Sequence, residues 1–96
     1  MVKLYHRILK SILERGGTAS TTEIRDDTLS DHRTIWEVCK IMCARNTLKK
    51  TKKMIRISKK GGYGVLVYRK INIYSIYPNK IEGVIANLKE NKLILQ

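Results

Sequence analysis

Acidic residues are missing from the middle of this chain. Residues 46–75 hold nine Lys and Arg and no Asp or Glu, and these nine account for most of the formal net charge of +12 that the 96-residue chain carries. A surface selected only for solubility mixes both signs of charge. A field of one sign on a single segment favours a polyanionic partner, either a nucleic acid or an anionic membrane surface.

Long apolar runs are also missing. No run approaches the roughly 18 residues of a membrane span, and residues 1–7 lack the uninterrupted apolar core of a signal peptide. We therefore expect a cytoplasmic protein without a membrane partner. A hydrophobic fraction of 43% is typical of a folded chain, and the length predicts a single domain over residues 1–96, short for a buried enzyme cleft.

Residues that carry catalysis or bind metals are few. Cys39 and Cys43 are the only thiols, and four-residue spacing on a helix is poorly set for a disulfide, which predicts reduced thiols. His32 completes three potential Zn²⁺ ligands, but a fourth is not evident and buried free Cys is common, so we expect no metal and no cofactor. No Gly-rich phosphate loop, Ser-His-Asp arrangement or convincing carboxylate pair occurs, and we do not expect an enzyme.

The spacing of apolar residues predicts three helices in the first half of the chain. Residues 5–13 form an amphipathic pattern that Gly16-Gly17 ends. Ser20 and Glu23 have the spacing of a capping box and open a short helix to about residue 27. A longer helix runs to about residue 45, with Ser30 or Asp31 as its N-cap.

The third helix has an apolar stripe and a polar side. Plotted at 100° per residue, the stripe that should face the core consists of Ile35, Val38, Cys39 and Met42. The opposite side holds Arg33, Glu37, Lys40 and Ala44, with Thr34 and Ile41 at one flank. We expect Trp36 to be half-buried at the edge of the helical core, a partner-binding surface being the alternative.

A hairpin and a fourth helix complete the pattern. Strand-forming residues 54–57 and 63–73 flank a turn at Lys59-Lys60-Gly61-Gly62. Pro78 then suits a helix start, and a stripe follows at helical spacing, formed by Ile81, Val84, Ile85 and Leu88. This stripe packs either on the first helix of its own domain or on a second protomer, and we slightly favour a homodimer.

This order of elements resembles the winged helix-turn-helix family of DNA-binding proteins over residues 4–75. The resemblance is carried by Leu29-Ser30 in the turn, by Thr34-Ile35, Val38 and Met42 in the third helix, and by Leu48-Lys49-Lys50 at the strand entering the wing. The resemblance is greatest to the very small winged-helix proteins of viruses that infect hyperthermophilic archaea. The high content of Ile and Lys and the absence of Phe also favour a hyperthermophilic source. The resemblance implies an α+β fold, a C-terminal helix over residues 76–96 and, for a viral protein, the host cytoplasm. Two departures are a turn without Gly and long wing strands.

The resemblance implies that the third helix lies in the major groove of double-stranded DNA. The residues it assigns to base readout are Arg33, Thr34, Glu37 and Lys40. For Arg33 and Lys40 the alternative is an ordinary solvated helix face. For Glu37 the favoured alternative is an ion pair with Arg33 or Lys40.

The hairpin would be the wing that holds the DNA backbone or minor groove. Its predicted contact residues are Lys49, Lys50, Lys52, Lys53, Arg56, Lys59, Lys60 and Tyr63. Lysines on hairpin edges also serve to prevent aggregation, but the complete absence of acids favours phosphate binding. Tyr63 stacks on a sugar or base or, more in keeping with a hairpin, packs across it with Tyr68.

The sequence thus predicts a sequence-specific double-stranded DNA-binding protein, a transcriptional regulator. One alternative is an architectural or RNA- or single-strand-binding module in which the basic hairpin acts alone. The scarcity of aromatics in the basic segment disfavours single strands, which are usually bound by stacking. A winged helix that binds an acidic protein is the other alternative.

Overall fold

The computed structural model describes residues 3–57 and 67–93. The helices are α1 (Leu4–Glu14), α2 (Thr21–Thr28), α3 (His32–Ala44) and α4 (Ile81–Glu90), the last preceded by a 3₁₀ turn at Pro78–Lys80. The strands are β1 (Thr18–Ser20), β2 (Leu48–Ile57) and β3 (Val67–Ile76). The predicted α+β winged helix is confirmed. The predicted contact residues Lys59, Lys60 and Tyr63 fall outside the described residues, as does the side chain of Arg56.

The ends of the helices follow the local chemistry of the sequence. Gly16 and Gly17 take φ values of 85° and 96° after α1, a conformation that costs glycine little. The capping box forms as predicted: the Glu23 amide donates to Ser20 Oγ at 3.2 Å, and the Ser20 amide donates to Glu23 Oε1 at 2.9 Å. Asp31 is the N-cap of α3, where its carboxylate accepts from the Thr34 amide at 2.7 Å.

A short strand that the sequence pattern did not predict adds to the hairpin. β1 pairs antiparallel with β3, from Thr18 opposite Ser75 to Ser20 opposite Ile73, so the sheet has three strands in the order β1-β3-β2. The hydroxyls of Thr18 and Ser75 lie 2.9 Å apart and link the two strands. The wing is therefore anchored to the segment between α1 and α2.

The hairpin is long for so small a protein. β2 and β3 each have ten residues and pair from Leu48 opposite Ile76 to Ile57 opposite Val67, so β3 continues beyond the predicted limit at residue 73. The molecule measures 53 × 23 × 23 Å and its radius of gyration is 15.2 Å. A compact chain of this length would have a radius of gyration near ~12–13 Å. The hairpin accounts for the difference because it projects from the helical body.

All four helices and the sheet contribute to one core. Its fully buried side chains include Ile8 and Ile12 of α1, Ile35 of α3, Tyr74 of β3 and Leu88 of α4. Val84 also lies in this core, whereas Ile81 and Ile85 are half-buried. Within the stripe of α4, Val84 and Leu88 therefore pack inside their own domain, and dimerisation through this helix stays a prediction.

None of the helices described is long and apolar enough to cross a membrane.

Candidate nucleic-acid interface

The outer side of α3 presents the four residues that the resemblance assigns to base readout. Arg33, Thr34, Glu37 and Lys40 are all exposed, while Ile35, Cys39 and Met42 are buried on the other side. Burial of the apolar stripe fixes the rotation of α3 about its own axis, so the opposite, polar side of the helix faces outward. The four side chains are accordingly free of the core and available to a partner.

Arg33 and Glu37 form the ion pair that their spacing predicts. Arg33 Nε lies 3.7 Å from Glu37 Oε1, and the two side chains are 89% and 68% exposed. A pair so exposed contributes little to stability. Either side chain is therefore able to leave the pair and contact a ligand at small cost.

Trp36 lies more in solvent than expected. The sequence predicts a half-buried Trp36 at the edge of the core, but the side chain is 56% exposed and is not one of the core residues. Positions 33, 36, 37 and 40 have the spacing of neighbours on one helix face. Trp36 therefore borders Arg33 and Lys40, and this spacing was the signal by which the sequence could have placed it in the candidate interface.

The wing has two faces, and the register sorts its cations between them. Leu48 pairs with Ile76 and both are buried against the helices, as is Tyr74 opposite Lys50. Because side chains alternate along a strand, every second residue from Leu48 lies on this helix-side face. Among the cations whose side chains the structure describes, Lys50, Lys52 and Lys70 lie on the helix-side face, and Lys49, Lys53 and Arg69 lie on the outer face.

Two apolar side chains accompany the cations of the helix-side face. Met54, opposite Lys70, is 56% exposed, and Tyr68, opposite the backbone of Arg56, is 53% exposed. Tyr68 is diagonal to Met54, within reach of long side chains. This face of the wing is therefore amphipathic rather than purely cationic.

The acidic residues do not neutralise the wing. All ion pairs of the described residues lie between residues 10 and 37 and link neighbouring groups of α1, α2 and α3. Among the wing cations whose side chains the structure describes, none has an acidic partner within ion-pair distance; they are Lys49, Lys50, Lys52, Lys53, Arg69 and Lys70. The positive field of the wing is thus open to an external polyanion.

A network of hydrogen bonds joins the end of α1 to α2, the helix that precedes the turn and α3. Arg15 donates to both oxygens of Asp27, each at 2.9 Å, and to Glu23 at 2.8 Å, while Ser11 Oγ donates to Asp27 at 2.6 Å. The bonds from Arg15 and Ser11 lower the pKa of Asp27 to about 2. Arg7 also donates to the carbonyl of Thr28, at the end of α2. These contacts set the position of the turn from which α3 departs.

That turn contains an exposed residue in an unusual conformation. Leu29, the C-cap of α2, has φ 57° and ψ 25°, a left-handed conformation that is a genuine exception for a bulky residue, and its side chain is 88% exposed. Gly usually occupies a left-handed position at the end of a helix. Here Leu29 adopts this strained conformation instead, and the turn forms without Gly. No pattern in the sequence predicts this conformation of Leu29.

Cys39 is buried in the core, and Cys43 is half-buried. Burial raises the pKa of Cys39 to about 12 and also raises that of Cys43, so both thiols are protonated at neutral pH. Within residues 3–57 and 67–93, no three His, Cys, Asp or Glu side chains come together as a metal site would require.

Comparison with known proteins gives a likeness in fold. The sequence matches no protein-family model and no curated protein. A solved structure that it does resemble is BpsR of Bordetella bronchiseptica, described in a study of the regulation of its DNA binding by 6-hydroxynicotinic acid. The TM-score is 0.65 with 12% sequence identity, over 94% of this chain. This chain spans only 58% of the length of that one, and at this identity the likeness concerns the fold.

Proposed function

We propose that this protein is a sequence-specific double-stranded DNA-binding protein that regulates transcription. In this proposal α3 enters the major groove and the wing contacts the backbone or minor groove. The observation that supports it best is the coincidence of two features: an exposed polar face on α3, and cations without acidic partners on the helix-side face of the wing.

The residue types on α3 suit base edges in the major groove. Arg33 and Lys40 are able to donate to O6 and N7 of guanine, and Glu37 is able to accept from N4 of cytosine. Thr34, close to the N-terminus of the helix, suits either a base edge or a phosphate. Each good base contact contributes about 1–3 kcal/mol of discrimination.

The wing suits phosphates. Lys50, Lys52 and Lys70 lie on one face of a ribbon that projects from the helical body. Each phosphate contact releases condensed counterions and contributes about −0.9 to the slope of log K against log salt concentration. Five contacts give a slope of about −4 to −5.

The likeness to BpsR supports the same proposal at the level of fold, since that protein is described by its DNA binding. The resemblance to proteins of archaeal viruses, the hyperthermophilic origin and the homodimer stay predictions.

The test is binding of labelled random-sequence duplex DNA over a salt series, with duplex RNA and single strands as competitors, followed by selection of the tightest duplexes. A steep salt slope with a recovered consensus would support the proposal. A steep slope without a consensus would leave an architectural protein. Preference for RNA or single strands, or no nucleic-acid binding, would reject the proposal and favour one of the other two functions.

A further inference from the structure

Trp36 is the exposed apolar residue whose position calls for an explanation. It is the only Trp of the chain, its side chain is 56% exposed, and it lies on the same face of α3 as Arg33 and Lys40. Leaving an aromatic side chain of this size in water forgoes the burial that usually stabilises a small domain. Trp36 is also not one of the residues packed against the core.

The surroundings of Trp36 indicate what would cover it. Its exposed neighbours at helical spacing are charged, namely Arg33 and Lys40, with Glu37 beside it. Protein-binding surfaces are usually contiguous apolar patches, and a single ring among charges is not one. An apolar group flanked by cations instead matches a surface that presents isolated apolar groups between anions.

The major groove of DNA is such a surface. Among the base edges there, the C5-methyl group of thymine is the apolar feature, and the phosphates that border the groove are anionic. We propose that Trp36 contacts a thymine methyl group, so that the target contains a thymine at the position that Trp36 covers. This inference rests on the proposed function, because it assumes that α3 lies in the major groove.

The test changes the DNA rather than the protein. In the selected duplex each thymine is replaced in turn by uracil, which pairs identically but lacks the methyl group. We expect one position at which the substitution weakens binding about fourfold, the effect of losing one buried methyl-sized group. In the Trp36→Ala variant the thymine and uracil duplexes should bind equally.

Ile41→Ala is the matched control. Ile41 is also on α3 and 52% exposed, but it lies about 140° around the helix from Trp36 and should keep the preference for thymine. Equal binding of thymine and uracil duplexes by the unmodified protein would overturn the inference and leave sequence-specific binding intact. Retention of the preference by a folded Trp36→Ala variant would also overturn it. Failure to bind any duplex would reject the proposed function instead.

Discussion

Lys52 and Lys53 are adjacent in the chain but lie on opposite faces of the wing. Lys52 pairs with Asn72 on the face that continues to Leu48 and the core, whereas Lys53 pairs with Ile71 on the outer face. The six wing cations whose side chains the structure describes therefore form two sets of three, only one of which shares a side with the helical body. If α3 and the wing contact one duplex together, the two sets should differ in effect.

The first prediction compares two triple variants that remove the same charge. Replacing Lys50, Lys52 and Lys70 with Ala should weaken binding to all duplexes and reduce the salt slope by about 2.7, which corresponds to three phosphate contacts. Replacing Lys49, Lys53 and Arg69, on the outer face, should leave the slope nearly unchanged; this narrows the contact set predicted from the sequence, which included Lys49 and Lys53. Fluorescence anisotropy over a salt series measures both. Equal losses of affinity and of salt slope in the two variants would mean that both faces of the wing contribute equally to DNA binding.

The helices were predictable where capping residues and the spacing of apolar side chains indicated the same element. Ser20 and Glu23 specified the start of α2, and the stripe through Ile35 and Met42 specified the rotation of α3. β1 was not predicted because its three residues, Thr18-Ala19-Ser20, are too few to show a periodic pattern of apolar residues. They form a strand only because they pair with β3, more than fifty residues away in the chain.

The candidate site was predictable in part for the same reason. The exposure of Arg33 and Lys40 follows from the helical period. The sorting of the wing lysines does not, because it depends on the register that Leu48 and Ile76 fix in the folded sheet. Leu29 could not be foreseen at positive φ, since its conformation is imposed by the elements on either side of the turn.

The second prediction concerns base readout. Arg33→Ala should relax the preference at one base position and lower affinity for the selected duplex by about tenfold, within the range of one base contact. The fold should be unaffected because the Arg33–Glu37 pair is exposed. Selection experiments with the variant measure the preference. An unchanged preference profile would remove Arg33 from the set of reading residues.

The third prediction concerns acid stability. The pKa of Asp27 is lowered from 3.8 to about 2 in the folded protein, so its contribution is complete above the unfolded value and is lost as the pH falls through about 2. Asp27→Asn should therefore destabilise the protein at pH 7 and flatten the pH dependence of unfolding between about pH 4 and 2.

Asp26→Asn is the control for this change, because Asp26 is more exposed and its contact with Arg25 is 3.9 Å long. Urea unfolding at several pH values gives the comparison. An identical pH dependence for the two variants would show that ionised Asp27 does not stabilise the fold through its bonds to Arg15 and Ser11.

The fourth prediction concerns a buried histidine. His6 is 5% exposed, and neither of its ring nitrogens has a hydrogen-bond partner among the described residues. Because an unsatisfied buried polar group is costly, His6→Leu should raise the free energy of unfolding by about 1 kcal/mol. His32→Leu, at the half-buried start of α3, should not. A loss of stability in His6→Leu would indicate that the imidazole is satisfied or that its contact with the Tyr5 ring, at 4.0 Å between centroids, is the larger effect.

The last prediction separates the two roles of α4. Leu88 is fully buried and belongs to the core of its own domain, so Leu88→Ala should cost about 2–5 kcal/mol whether or not the protein dimerises. Ile85 is half-buried and available to a partner. If the protein dimerises and α4 forms the contact, Ile85→Asp should give a folded monomer, whereas Ala86→Asp at an exposed position of the same helix should not.

Sedimentation equilibrium measures the mass of each variant, and thermal unfolding shows whether it is folded. A dimer that persists in folded Ile85→Asp would place the dimer contact elsewhere. A dimer also presents two copies of α3 to the DNA, and two recognition helices one helical turn apart read a palindrome. The monomeric variant should therefore bind a half-site and a full palindrome with nearly the same affinity, and the native dimer should prefer the palindrome.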